Sequence, residues 1–147
     1  MRLRTAQDVA AAAARMGGDT FLLEDMVEDG VAELLVGIVK DPAHGFVLTV
    51  GAGGMMTELL QDSASVLVPS SRAKLEQALN QLKMAPVLDG YRNQPAANRT
   101  AILDAIEALQ QFVIDHAETI VEVEVNPLIA TPTRAIAADA LIRKSHD

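Results

Sequence analysis

From Val121 the chain alternates strictly: Val121, Val123 and Val125 are interleaved with Glu122, Glu124 and Asn126. A period of two places the valines on one side of a strand and the three polar residues on the other. Such a strand needs an apolar layer against one face and leaves the other face polar, here strongly acidic. It therefore points to a sheet covered on one side only. Two stretches of helical period can supply the cover. Leu75, Ala78, Leu79 and Leu82 follow the serines at 70 and 71, and Ile102, Ile106, Leu109 and Val113 fall within a helix expected over residues 97–116.

The rest of the chain fills in around these elements. Thr5, followed by Gln7 and Asp8, opens a helix with Val9, Ala10, Ala13 and Met16 on its apolar side, and Gly17-Gly18 ends it. Residues 21–27 are expected as a strand, Glu28-Asp29-Gly30 as a tight turn and residues 31–40 as the strand that completes a hairpin. Short strands follow at 46–50 and 65–68, while residues 56–60 fit either a short strand or a turn of helix. Residues 84–95 hold two prolines and a glycine and read mostly as loop. Residues 127–133 are expected to turn the chain and 135–142 to return as a strand. The fold class is α/β of the α+β type, an antiparallel or mixed sheet with helices on one face, in a single domain over residues 1–147.

Composition narrows the function. The chain has 147 residues, half of them apolar, enough for one core without cross-links. It has no cysteine, which excludes disulfides, thiolate nucleophiles and cysteine metal sites. A net charge of −8 argues against nucleic acid and against an anionic membrane as partners. It leaves phosphate ligands open, because a divalent cation can bridge two sets of negative charge. Nothing in the sequence resembles a leader or a membrane span, so a cytoplasmic location is expected.

Three constellations carry candidate chemistry. The first is Glu124 and Asn126, with Glu122, on the polar face of the strand, together with Asp139. If the 121–128 and 135–142 segments pair, Asp139 approaches Glu124 or Asn126 from the neighbouring strand. Carboxylate and amide oxygens are the hard donors that magnesium takes. A solvated outer sheet face explains the same pattern, but Asp139 sits in an otherwise apolar run, where an isolated carboxylate would be costly to bury. The second is the loop Gly51-Ala52-Gly53-Gly54, with Glu58 and Asp62 downstream, whose amides can cradle an anion. It lacks the lysine of a P-loop and the spacing of a dinucleotide fingerprint, and a plain glycine turn accounts for it as well. The third is Glu33 and Lys40 at the two ends of one strand, with Lys40 expected beside the glycine loop as a point charge for a phosphate, or else as an ordinary surface lysine. His44, His116 and His146 have no ligand or relay spacing.

Taken in order, Glu33, Lys40-Asp41-Pro42-Ala43-His44-Gly45, the glycine loop with Glu58 and Asp62, Leu67-Val68-Pro69, Gly90-Tyr91-Arg92, Glu124-Val125-Asn126-Pro127-Leu128 and Ala138-Asp139-Ala140 form a connected pattern over nearly the whole chain. It resembles the C-terminal half of the ATP-grasp region of ADP-forming acyl-CoA synthetases, the acetate/succinate–CoA ligase group. The resemblance implies that Asn126 and Asp139 bind magnesium, with Glu124 as a support or water-mediated ligand. It places Glu33 and Lys40 along the nucleotide cleft and Gly53 and Gly54 near the transferring phosphate.

In that family, acid, ATP and CoA give acyl-CoA, ADP and phosphate, with a phosphohistidine in a separate domain carrying the phosphoryl group. No histidine here matches it. Lys40 stands where arginine is usual, His44 where an aromatic is usual, Asn93 where glycine is common and Asn98 where an acidic residue is common. The resemblance takes in neither the first ATP-grasp half nor the CoA-binding and phosphohistidine domains. Mg2+ and ATP are therefore expected as cofactors only with the complementary half, and that half together with a CoA-binding domain or subunit are the expected partners. A homodimer is a further assembly open to the chain, and a non-catalytic interaction module is the alternative function.

Overall fold

The computed structural model describes residues 3–54 and 61–145. The sheet is built from β1 (Ala32–Asp41), β2 (Gly45–Ala52), β3 (Ser63–Leu67), β4 (Ile120–Ala130), β5 (Ala135–Ala137) and β6 (Ala140–Lys144). Their order is β3-β2-β1-β4-β5, with β6 also on β4, and every pair is antiparallel. The helices are α1 (Ala6–Met16), α2 (Arg72–Gln81), the short α3 (Ala85–Leu88) and α4 (Arg99–Asp115).

Alternation along the strands decides which face is covered. Leu34, Val36 and Ile38 of β1, Leu48 and Val50 of β2, and Val123, Val125 and Leu128 of β4 are buried and form one cluster with Leu75 and Leu79 of α2 and Ile102, Ile106 and Val113 of α4. The helical stripes expected at 75–82 and 102–113 thus cover one face of the sheet. The opposite face stays open, with Gly37 of β1 between Thr49 of β2 and Glu124 of β4.

β4 departs from strict alternation at one place. Leu34 pairs with Leu128 and Val36 with Val125, so Leu35 alone faces both Asn126 and Pro127. This is a bulge, one extra residue on one strand of a pair. It suits Pro127, which has no N–H to give to a ladder. Burial changes phase there: Val123 and Val125 point into the core before the bulge, Leu128 and Ala130 after it.

Several expectations are corrected. Residues 21–27 are not a strand. Both edges of β1 are taken, by β2 and β4, so this segment cannot pair with it as the expected hairpin requires, and Leu22, Leu23 and Met26 are exposed. β1 instead makes its hairpin with β2. Residues 127–130 continue β4, and the turn comes later, where Thr131 Oγ1 accepts hydrogen bonds from the amides of Thr133 and Arg134. The returning strand is interrupted at Ala138 and Asp139 and splits into β5 and β6. Residues 84–95 include the helical turn α3. Residues 56–60, and Glu58 with them, lie outside the described residues.

The first helix forms as its sequence predicts. Thr5 Oγ1 accepts from Asp8 N, and the Asp8 carboxylate accepts from Thr5 N, a reciprocal cap. Among the described residues no helix is long and apolar enough to cross a membrane.

Candidate functional site

The antiparallel β1–β2 hairpin carries the end of β2 back beside the start of β1, so that Leu34 pairs with Ala52. The glycine loop therefore lies on Glu33. Gly53 N donates to Glu33 O at 2.9 Å. A Cβ on Gly53 would stand 2.5 Å from the carbonyl carbon of Leu34, so only glycine allows the loop this close. Gly54 has φ +61, and the place a Cβ would take is occupied by the Glu33 carboxylate.

β4 brings the other half of the cluster. At its bulge, Asn126 Oδ1 accepts a hydrogen bond from Gly54 N at 3.0 Å. The Asn126 amide in turn donates to Asp139 O at 3.2 Å, across the gap between β5 and β6. Asn126 and Asp139 face each other in register, next to the Val125–Ala140 pair. Cross-strand partners of this kind have Cβ atoms about 5 Å apart. The Asp139 carboxylate is anchored by the Ala140 amide at 2.8 Å. Asp139 is exposed rather than buried. The cost-of-burial argument for it is thus replaced by one of position: it stands at the sheet's edge, opposite Asn126.

Glu33, Gly53, Gly54, Asn126 and Asp139 are therefore brought together, with Glu124 two residues up the same strand, half-buried and opposite Gly37. Two expectations change. Lys40 is at the far end of β1, paired with Phe46 at the start of β2. At a strand rise of about 3.3 Å per residue it lies roughly 23 Å from Glu33. There its ammonium donates to Ala117 O at 3.1 Å and lies over the Phe46 ring. It ties the hairpin to the end of α4 and is not beside the glycine loop. The anion cradle is also corrected. The Gly53 and Gly54 amides already donate to Glu33 O and Asn126 Oδ1.

Glu33, Gly53 and Glu28 line a cleft of about 490 Å³, together with Val27, Val31, Met84, Val87 and Ile129. This is within the usual range for a small-ligand site. The wall from α3 was not legible in the sequence, because four residues are too few to show a period. Asp62 supports the loop from behind. It is buried, its carboxylate accepts from Lys83 N at 2.7 Å and Met84 N at 2.9 Å, and its carbonyl accepts from Ala52 N at 3.0 Å. One residue thus joins the end of β2 to the start of α3.

The donors at the bulge are oxygens, the Asn126 side-chain amide and the Asp139 carboxylate opposite it, with Glu124 and Glu33 further along the strands on either side. They fit magnesium, which takes one or two carboxylates and completes its shell with water and phosphate. Among the described residues no three His, Cys, Asp or Glu side chains form a metal cluster by themselves.

Comparison with known proteins gives the same direction. Residues 2–143 match the family described as the ATP-grasp domain. The beta subunit of an ADP-forming acetate–CoA ligase from Pyrococcus furiosus is 31% identical over 108 residues, 74% of this chain and 46% of that subunit. An ADP-forming acetate–CoA ligase from Methanocaldococcus jannaschii is 32% identical over 121 residues, 79% of this chain and 17% of the ligase. A solved structure of the dinucleotide-forming acetyl-coenzyme A synthetase 1 of Ca. Korarchaeum cryptofilum, in complex with coenzyme A and Mg-AMPPCP, superposes with a TM-score of 0.74 at 30% identity, over 78% of this chain and 53% of that one. Another structure of that synthetase reaches 0.83 at 26% identity, over 99% of this chain and 69% of that one. The chain spans less than half the length of these two curated relatives. With its fold, its motif order and its match over nearly the full length, the chain belongs to the ATP-grasp domain family, and its relatives are ADP-forming acyl-CoA synthetases.

Proposed function

We propose that this chain supplies the nucleotide- and magnesium-binding half of an ADP-forming acyl-CoA synthetase and is inactive without its complementary ATP-grasp half and a CoA-binding domain or subunit. In the complete system the reaction is acid, ATP and CoA to acyl-CoA, ADP and phosphate. The observation that carries the reading is the linked set Glu33, Gly54, Asn126 and Asp139, whose members Glu33 and the adjoining Gly53 also line the 490 Å³ cleft.

Asn126 and Asp139 would hold the metal, with Glu124 behind them. A magnesium ion held by these residues would supply charge neutralisation to phosphate groups, which is most of what phosphoryl transfer asks of a site. Glu33 offers a carboxylate acceptor at the cleft, suited to ribose hydroxyls. Val31, Val87 and Ile129 offer an apolar wall to a base. Gly53 and Gly54 contribute closeness of approach rather than free amides. The cleft is open on one side, so orientation and exclusion of water are left to an opposing wall. The exposed Leu22, Leu23 and Met26, at 84%, 66% and 54% accessibility, supply an apolar surface for such a partner.

Calorimetry with Mg-ATP tests this. The wild type is expected to give weak heats that require magnesium, and Asp139→Asn to abolish them without altering the melting temperature. Undiminished heats in that variant would reject the metal assignment. Mixing the chain with a first ATP-grasp half and the CoA-binding subunit is expected to yield ADP-forming activity that neither part has alone.

A further inference from the structure

We infer that the glycine loop orients Asn126: the main-chain N–H of Gly54 fixes which end of the Asn126 carboxamide is presented to a cation. This rests on the metal reading above and adds to it a role for the loop.

An asparagine side chain has an oxygen end that accepts and a nitrogen end that donates, and the two are close to isosteric. As a ligand to a hard cation only the oxygen end serves. Nothing in the side chain itself selects between the two. Here the choice is made by a main-chain donor. Gly54 N stands 3.0 Å from Asn126 Oδ1, and a flip of the carboxamide would bring its NH2 against that N–H, donor to donor. The oxygen keeps a second lone pair for a cation.

The donor is itself held without any side chain of its own. Gly53 is bonded to Glu33 O and lies so close to Leu34 that a Cβ would collide with its backbone. Gly54 then turns through a left-handed conformation that brings it against the Glu33 carboxylate. On the other side, the bulge opposite Leu35 and the bond from Asn126 N to Asp139 O fix the asparagine backbone. The carboxamide is thus clamped from β1 by way of the loop and from Asp139 by way of its own amide. Gly54 is in this account a positioning residue, acting through Asn126.

Two measurements on the chain as it stands test the inference. The first is amide hydrogen exchange at Gly54. Asn126→Ala is expected to speed it at least fivefold while the β1 amides keep their protection, and Asn126→Asp, which retains an acceptor, is expected to restore it. Equal exchange in wild type and Asn126→Ala would overturn the inference. The second is Mn2+, used as a paramagnetic probe, followed by broadening of resonances from residues 126 and 139. Gly54→Ala is expected to weaken apparent Mn2+ affinity at least fivefold with Asn126 and Asp139 intact. Equal broadening in both proteins would overturn the orienting role alone. Absence of broadening at these residues in the wild type would sink the metal reading, and the inference with it.

Discussion

Gly53→Ala is the sharpest test of the site's framework. The added methyl would lie 2.5 Å from the carbonyl carbon of Leu34, 2.6 Å from its oxygen and 2.9 Å from its nitrogen. All three are backbone atoms of a strand paired on both sides, so nothing at the end of a flexible side chain can yield. Forcing an extra methyl into a packed place costs about 1–3 kcal/mol. Pushing the loop away also breaks the Gly53 N to Glu33 O bond, worth about 1 kcal/mol. The sum is about 2–4 kcal/mol, a large part of a domain's usual ~5–15 kcal/mol. For a chain of this size that corresponds to a fall of roughly 5–12 °C in melting temperature. Gly37→Ala is the control. It lies on the same neighbouring strand, and its nearest atom would be Leu35 Cδ2 at 3.8 Å, so it is expected to be neutral or slightly stabilising. Urea unfolding of both variants reads the difference. A Gly53→Ala midpoint within about 0.5 kcal/mol of wild type, at unchanged slope, would refute the close-approach argument.

Further outcomes follow from the same geometry. Asp62→Ala leaves the part-buried amides of Lys83 and Met84 without their charged acceptor and is expected to cost about 1–3 kcal/mol by urea unfolding, with the cleft wall at α3 loosened in hydrogen exchange. Lys40→Ala removes a contact to Ala117 O at the far end of the sheet and is expected to leave Mn2+ binding unchanged by resonance broadening. Asp41 has its pKa held below the ordinary 3.8 by the His44 side chain and by the amides of Ala43 and His44. Its contribution is therefore full above the unfolded value and lost as pH falls through the lower folded one. An NMR titration should show Asp41 protonating below 3.8, with the β1–β2 turn loosening in the same acidic window.

What could be read in advance divides along physical lines. The β4 valines and the stripes of α2 and α4 were legible because local periodicity and burial agree. Residues 21–27 misled because an apolar run states only that it could pair, whereas strand formation depends on a vacant edge, and β1 had none. Pro127 suggested a turn, since a proline is out of place in a regular ladder; a bulge was the other solution, and no local signal distinguishes them. Lys40 was misplaced by treating the two ends of β1 alike. In a β1–β2 hairpin only the start of β1 can meet the end of β2, where the glycine loop is. The Gly54–Asn126 bond joins residues 72 positions apart, beyond any spacing rule. The approach of Asp139 to Asn126 was legible from the hairpin argument, whereas a metal role for the two comes only from likeness to a family, and the burial argument for Asp139 failed.

The doubled step at Asn126-Pro127 separates what the core requires from what the site requires. Between the Val36–Val125 and Leu34–Leu128 pairs, β1 spends a single residue. A version of β4 shortened by one residue there would match it one for one, with Val125, Leu128 and Ala130 still facing inward. Loss of both would instead turn Leu128 outward. The hydrophobic interior thus tolerates a plain strand, and the surplus residue bears only on the contacts with Gly54 and Asp139. A chain that discarded it would be expected to keep its shape and lose the Gly54–Asn126 bond.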